Sequence, residues 1–133
     1  DKRTTGGGTN GYELFTFNGR LGLQLASVAA FNYVAIPTVP LGAFVHIAAV
    51  VERVGTASPQ VRLYYNGVLQ YTQAVTGAQL GSLTNTGRVR IARAASGENC
   101  VSGVVDELSF YARALTPAEI TALAARDGKT GGR

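Results

Sequence analysis

The sequence predicts an all-β protein, an antiparallel two-sheet sandwich carrying one short C-terminal helix. Three observations point there. Two Asn-Gly pairs, Asn18-Gly19 and Asn66-Gly67, each sit between β-prone runs. Further β-prone runs recur between turn-forming stretches. A single capped, amphipathic segment begins at Thr116, near the end of the chain.

Taken in order, the first hairpin is Tyr12-Glu13-Leu14-Phe15-Thr16-Phe17, Asn18-Gly19, then Arg20-Leu21-Gly22-Leu23-Gln24-Leu25. A two-residue type I′ turn needs positive φ at both positions, which Asn and Gly tolerate, and its twist matches the flanking strands. Leu21, Leu23 and Leu25 alternate with Gly22 and Gln24, so one face of the return strand is buried. The stretch 44–54 is apolar at nearly every position, the pattern of a central strand covered on both faces. Gly55-Thr56-Ala57-Ser58-Pro59 turns the chain into the second hairpin, Val61-Arg62-Leu63-Tyr64-Tyr65, Asn66-Gly67, Val68-Leu69-Gln70-Tyr71. Two more strands are expected over 88–93 and 103–111. Thr116-Pro117-Ala118-Glu119 then forms a capping box with Pro at the first helical position. Ile120, Leu123 and Ala124 fall on one helical face, and Gly128 is placed to end the helix. So short a helix must dock on the sandwich.

The 133 residues, 46% apolar and 15% charged, suit one domain over 1–127, with 128–133 as a tail or linker. Gly6-Gly7-Gly8-Thr9-Asn10-Gly11 reads as a loop. No apolar run is long enough to cross a bilayer, so no membrane insertion is expected. The single cysteine, Cys100, excludes an internal disulfide and a cysteine-rich metal site. A net charge of +4, with arginine supplying most of the cations, suits an anionic partner but is weak for nucleic acid, which is not expected as a ligand.

Three segments in this order carry a resemblance: Phe44-Val45-His46-Ile47-Ala48, Leu63-Tyr64-Tyr65-Asn66-Gly67, and the run from Gly103-Val104-Val105-Asp106-Glu107-Leu108 through Ser109-Phe110-Tyr111-Ala112-Arg113-Ala114 to Leu115-Thr116-Pro117-Ala118-Glu119-Ile120. Together they resemble the laminin-G-like jelly-roll domains of the concanavalin A-like lectin and glucanase superfamily, over nearly the whole chain. The resemblance implies a jelly-roll sandwich, an extracellular or cell-surface setting, and binding of glycans or of cell-surface and matrix proteins. Family members usually have Trp where Phe44 stands and Gly where Ala92 follows Ile91. They also normally carry a further strand region before the equivalent of Lys2-Arg3. The resemblance therefore implies a sandwich short of one or two strands, with an unpaired edge. The chain is then a fragment, a permuted or minimal domain, or a subunit that self-associates by taking a strand from a neighbour.

Catalytic chemistry is not expected. The chain has eight carboxylates, and glucanases of the superfamily place acids at alternate strand positions; Asp106 and Glu107 are adjacent, and no Glu-x-Asp-x-x-Glu run occurs. The single histidine, His46, shares its strand face with apolar residues and reads as structural. Asp106 falls on the face of Val104, Leu108 and Phe110, so it is expected to be buried and paired, with Arg113 or with backbone amides. The alternative, implied by related jelly rolls, is a Ca²⁺ ligand assisted by Glu98 and Asn99. Arg88 and Arg90 lie two apart on one strand face, as a clamp for acidic groups of a glycan or as solvated edge charges. With no tryptophan present, tyrosines are the expected sugar-stacking rings, while phenylalanines are assigned to the core. In Tyr64-Tyr65, strand alternation turns one ring outward. The candidate ligand contacts are thus Arg88, Arg90, Tyr64 and Tyr65.

Overall fold

Both Asn-Gly pairs make the tight turns their chemistry favours. Asn18 and Gly19 have φ of 49° and 74°, and Asn66 and Gly67 have 48° and 79°, so all four occupy the left-handed region. The computed structural model describes residues 1–4, 10–27, 29–94 and 100–127. The expected tail over 128–133, most of the glycine-rich loop, and Glu98 and Asn99 lie outside the described residues.

The first hairpin joins β2 (Gly11–Phe17) to β3 (Arg20–Ala26); β1 (Lys2–Arg3) and β4 (Ala30–Thr38) flank them in the order β1-β2-β3-β4. The second joins β6 (Gln60–Tyr65) to β7 (Val68–Ala74), and β5 (Ile47–Glu52) completes a three-stranded sheet in the order β5-β6-β7. Every pairing is antiparallel. Strand alternation then decides what is buried. Leu21, Leu23 and Leu25 of β3 and Tyr33 and Ala35 of β4 meet Val61, Leu63 and Tyr65 of β6 and Val75 between the sheets. Tyr65 also ties the layers by hydrogen bonds: its hydroxyl accepts from the Leu21 amide and donates to the Pro37 carbonyl, each at 3.0 Å.

The helix α1 (Pro117–Asp127) docks as expected. Thr116 and Glu119 cap each other's backbone amides, at 2.8 and 3.3 Å. Ile120 and Leu115 pack on Val50 and Tyr64, on the outer face of the three-stranded sheet. The Asn66-Gly67 turn meets the helix so closely that a β-carbon on residue 67 would stand 3.0 Å from Thr121 Cα, so glycine serves both the turn and the contact.

Four expectations need correction. Strand β4 was not anticipated; Phe31, Tyr33 and Ala35 alternate inward, but the run carries no Asn-Gly turn to announce it. The stretch 44–54 narrows to β5, which is covered on both faces but lies at a sheet edge, leaving Phe44 and Val54 exposed. Neither 88–93 nor 103–111 forms a ladder among the described residues. A strand needs a facing partner along its length. The first segment finds one reciprocal pair, Asp1 with Arg90, both bonds 2.8 Å, and then turns at Ala92, whose φ is 59°. The second is interrupted by Glu107 at φ 52°. Non-glycine residues rarely adopt this region, and neither run can continue through it as a strand.

Candidate functional site

Tyr64 and Tyr65 do alternate, yet neither ring faces solvent. Tyr65 lies in the inter-sheet core and Tyr64, 1% exposed, lies beneath α1. The expectation that one ring must face out fails because the helix covers the second face of β6. Period-2 alternation reports sides, not exposure. The helix seals that side further through Arg62, which reaches Glu52 and the Leu115 carbonyl at 3.4 Å each.

Arg88 is exposed and Arg90 half-buried, on the segment beside β1; Arg90 bonds the Arg88 carbonyl at 3.4 Å. Asp106 is exposed rather than buried, because the segment carrying it packs on no sheet. Its carboxylate accepts the Glu107 amide at 2.9 Å, holding the local turn. Arg113, its expected partner, instead forms a two-bond pair with Glu119, at 2.9 and 2.5 Å. That pair and the Thr116 amide hold the Glu119 carboxyl at about 2, below its ordinary 4.5. Among the described residues, no three His, Cys, Asp or Glu side chains cluster as they would around a metal. The expected partners of Asp106 in a calcium site, Glu98 and Asn99, lie outside the described residues. The His46 backbone pairs with Asn66, its amide reaching Asn66 Oδ1 at 2.9 Å and its carbonyl receiving the Asn66 amide at 2.8 Å, which locks the second turn.

A second ordered surface lies elsewhere, on the outer face of the four-stranded sheet. The residues of β2, β3 and β4 that do not point into the core share that face in rows set by register. Glu13 opposes Gln24, which opposes Asn32; one step along, Phe15 opposes Gly22, which opposes Val34; a further step along, Phe17 opposes Arg20. The first row is a connected polar network. Gln24 Nε2 donates to Asn32 Oδ1 at 2.8 Å, and Arg3, reaching over from β1, donates to Gln24 Oε1. Arg3 also pairs with Glu13 at 2.6 Å and Asp1 at 2.9 Å. The second row is apolar. Gly22 leaves room for Phe15 to lie across the sheet, since a β-carbon there would stand 2.4 Å from Phe15 Cζ. Phe17, two residues on, is 60% exposed on the same side.

Assigning phenylalanines to the core and tyrosines to the surface therefore inverted the arrangement at this site. The signal that could have found it was local. Phe15 and Phe17 share parity with Glu13 and are out of phase with Tyr12, Leu14 and Thr16, while Gly22 and Gln24 share the polar side of β3.

Residues 1–121 match the Laminin_G_3 family, described as the Concanavalin A-like lectin/glucanases superfamily. No curated protein is significantly similar in sequence. Among solved structures, the chain is similar to an S-layer domain-containing protein (residues 221–444) from Clostridium thermocellum ATCC 27405, with 16% identity and a TM-score of 0.48. The likeness covers 80% of this chain and 52% of that one, so the chain spans about half its length.

Proposed function

We propose that this chain, which belongs to the concanavalin A-like lectin/glucanases superfamily, is a non-catalytic module that binds glycans or glycosylated proteins at the cell surface or outside the cell. The observation that carries this reading is the outer face of the four-stranded sheet, where an ordered row of polar side chains runs beside two part-exposed or exposed aromatic residues. Sugars ask for that combination, an apolar platform for their C–H faces and oriented hydrogen-bonding groups for their hydroxyls. Four of the eight carboxylates are committed to ion pairs, which speaks against their acting in hydrolysis. Asp1 and Glu13 are engaged by Arg3, Glu52 by Arg62 and Glu119 by Arg113, which is the placement of structural ion pairs rather than of an acid and base flanking a bond. Among the described residues, no helix is long and apolar enough to cross a membrane. A glycan array spanning neutral, uronic-acid and heparin-like polymers tests the reading. Binding to at least one class supports it, and no signal at high protein concentration overturns it.

A second reading is favoured by a different observation. The segment 101–111 is rich in β-formers, and Val101, Val104, Val105, Leu108, Phe110 and Tyr111 along it are all at least half exposed. Among the described residues, strand β5 has a neighbour on one side only. A β-prone segment and an open strand edge in one chain would let copies complete one another's sheets. In that case the protein is an adhesive subunit. Light scattering across a hundredfold concentration range separates the readings: growth of oligomers supports self-assembly, and a stable monomer at every concentration contradicts it.

A further inference from the structure

Resting on the self-assembly reading above, we propose that a second copy of this chain lays its segment 103–111 as a strand in the lane beside β5, antiparallel to it and over the inner side of β2. The two sheets are unequal, four strands against three. With β4 set against β7, β3 lies opposite β6 and β2 opposite β5. The inner side of β1 and the margin of β2 therefore look onto a lane beyond β5 that holds no described strand. Burial traces the same lane. Leu14 and Thr16 alternate with Tyr12, and Ile47 with Ala49 and Val51, all of which pack on the inter-sheet core. Yet Leu14 and Ile47 are each 40% exposed and Thr16 is exposed, whereas the leucines of β3 are at most 4% exposed. Side chains aimed between the sheets but still in water mark the place of a further strand.

Charge and direction choose the occupant. Tyr65, in register with Ile47, accepts from the Leu21 amide, and Leu21 is in register with Thr16. Ile47, Leu14 and Thr16 therefore share the apolar end of the lane. At its other end stand Arg53, next after Glu52, and Lys2, in register with Tyr12. Lys2 donates to the carbonyls of Asn85 and Gly87, and Arg53 to that of Gly81; neither pairs with a carboxylate among the described residues. The segment 103–111 supplies the complement, since its Asp106 and Glu107 belong to none of the described ion pairs. In an extended strand Asp106, Leu108 and Phe110 share one side. Placing Asp106 at the basic end sets Leu108 and Phe110 over Leu14, Thr16 and Ile47. The strand then runs opposite to β5, as every pair in this fold does. Pairing also extends the backbone at Glu107, whose φ of 52° is a costly conformation outside glycine. The chain cannot do this for itself. Arg62 reaches both Glu52 and the Leu115 carbonyl, which ties the end of its own segment to the basic end. A Tyr111 at the Ile47 end would lie about 17 Å from that tether along β5, and the four residues to Leu115 span about 14 Å at most. A neighbouring copy has no such restraint, and the exchange leaves the outer face of the four-stranded sheet free.

The test is sedimentation velocity over a hundredfold concentration range on the wild type, Leu14→Lys, Phe110→Asp, an equimolar mixture of those two variants, and Arg20→Glu on the outer face. The wild type should associate, and each of the first two variants should weaken association about tenfold or more. Leu14 is 40% and Phe110 62% exposed, so both variants keep the fold, which circular dichroism checks. The mixture should recover association, because Phe110→Asp copies keep an intact lane and Leu14→Lys copies keep an intact strand. Arg20→Glu should associate as the wild type does. A wild type that stays monomeric at every concentration overturns both this inference and the self-assembly reading. Association that survives either Leu14→Lys or Phe110→Asp, or that is lost in Arg20→Glu, places the contact elsewhere; it overturns the inference and leaves self-assembly standing. Two deficient variants whose mixture fails to associate overturn the exchange of a strand into the lane.

Discussion

The two outer faces of this sandwich begin from the same material and end differently. On the three-stranded sheet, Val50 and Tyr64 are closed over by Leu115 and Ile120 from the α1 region. On the four-stranded sheet, the corresponding face holds Phe15 and Val34 beside a polar row, and no described element packs over it. The sealed face contributes to stability through buried apolar area. The bare face keeps its order without a cover, because Arg3, Glu13, Gln24 and Asn32 hold one another. The difference is what the proposed function rests on: an uncovered face that is nevertheless hydrogen-bonded into one arrangement suits a ligand, whereas the covered one is already packed.

Matched truncations break or sharpen that contrast. Tyr64→Ala should cost about 3–4 kcal/mol of stability, because it empties a site sealed by the helix. Phe15→Ala should cost about 1 kcal/mol or less, since its ring is already partly in water. Urea denaturation of both variants checks the ranking; equal costs would show that Phe15 is a structural cover for Gly22. On the segment that follows Arg90, Ala92 holds φ 59°. Ala92→Gly should therefore stabilise the fold by about 0.5–1 kcal/mol, relief of left-handed strain outweighing the entropy that glycine adds to the unfolded chain. Ala92 stands where members of the family it resembles commonly have glycine, and a positive φ accounts for that preference.

The sealed face has a pH signature smaller than these. Glu119 titrates at about 2 in the fold against 4.5 ordinarily, so its contribution is complete above pH 4.5 and fades as pH falls toward 2. Melting curves over that window should show the loss for the wild type, and Glu119→Gln should flatten the part due to this group. Because the group is on the surface, the effect will be modest and weakened by salt. Smallest of all is the expected response to chelation. With Asp106 capping the Glu107 amide and no described acidic cluster around it, EDTA should leave the melting midpoint unchanged; a fall would place a calcium site around Asp106.

What could be read from the sequence was what depends on neighbours in the chain. Both hairpin turns and the Thr116–Glu119 box are set within a few residues, and each formed as expected, although the register of the second hairpin shifts between Leu63 and Tyr64. What could not be read depends on distant partners. The burial of Tyr64 requires a helix more than fifty residues away in sequence, so alternation alone turned the ring toward water. The runs 88–93 and 103–111 have strand composition, but composition supplies no partner edge. The site suffered from residue stereotypes: phenylalanine was assigned inward by type, while the parity of β2 put Phe15 and Phe17 on the side of Glu13. Arg3 neutralising Glu13 joins β1 to β2, and only the folded register reveals it.

The central claim is that the bare face is the binding face, and backbone NMR tests it most directly. A ¹⁵N-labelled sample titrated with the tightest-binding glycan of the array should show its largest shifts at the amides of Glu13, Phe15, Phe17, Gln24 and Asn32, with those of Tyr64, Leu115 and Ile120 unmoved. Shifts concentrated instead at Arg88 and Arg90, or along 101–111, would contradict it.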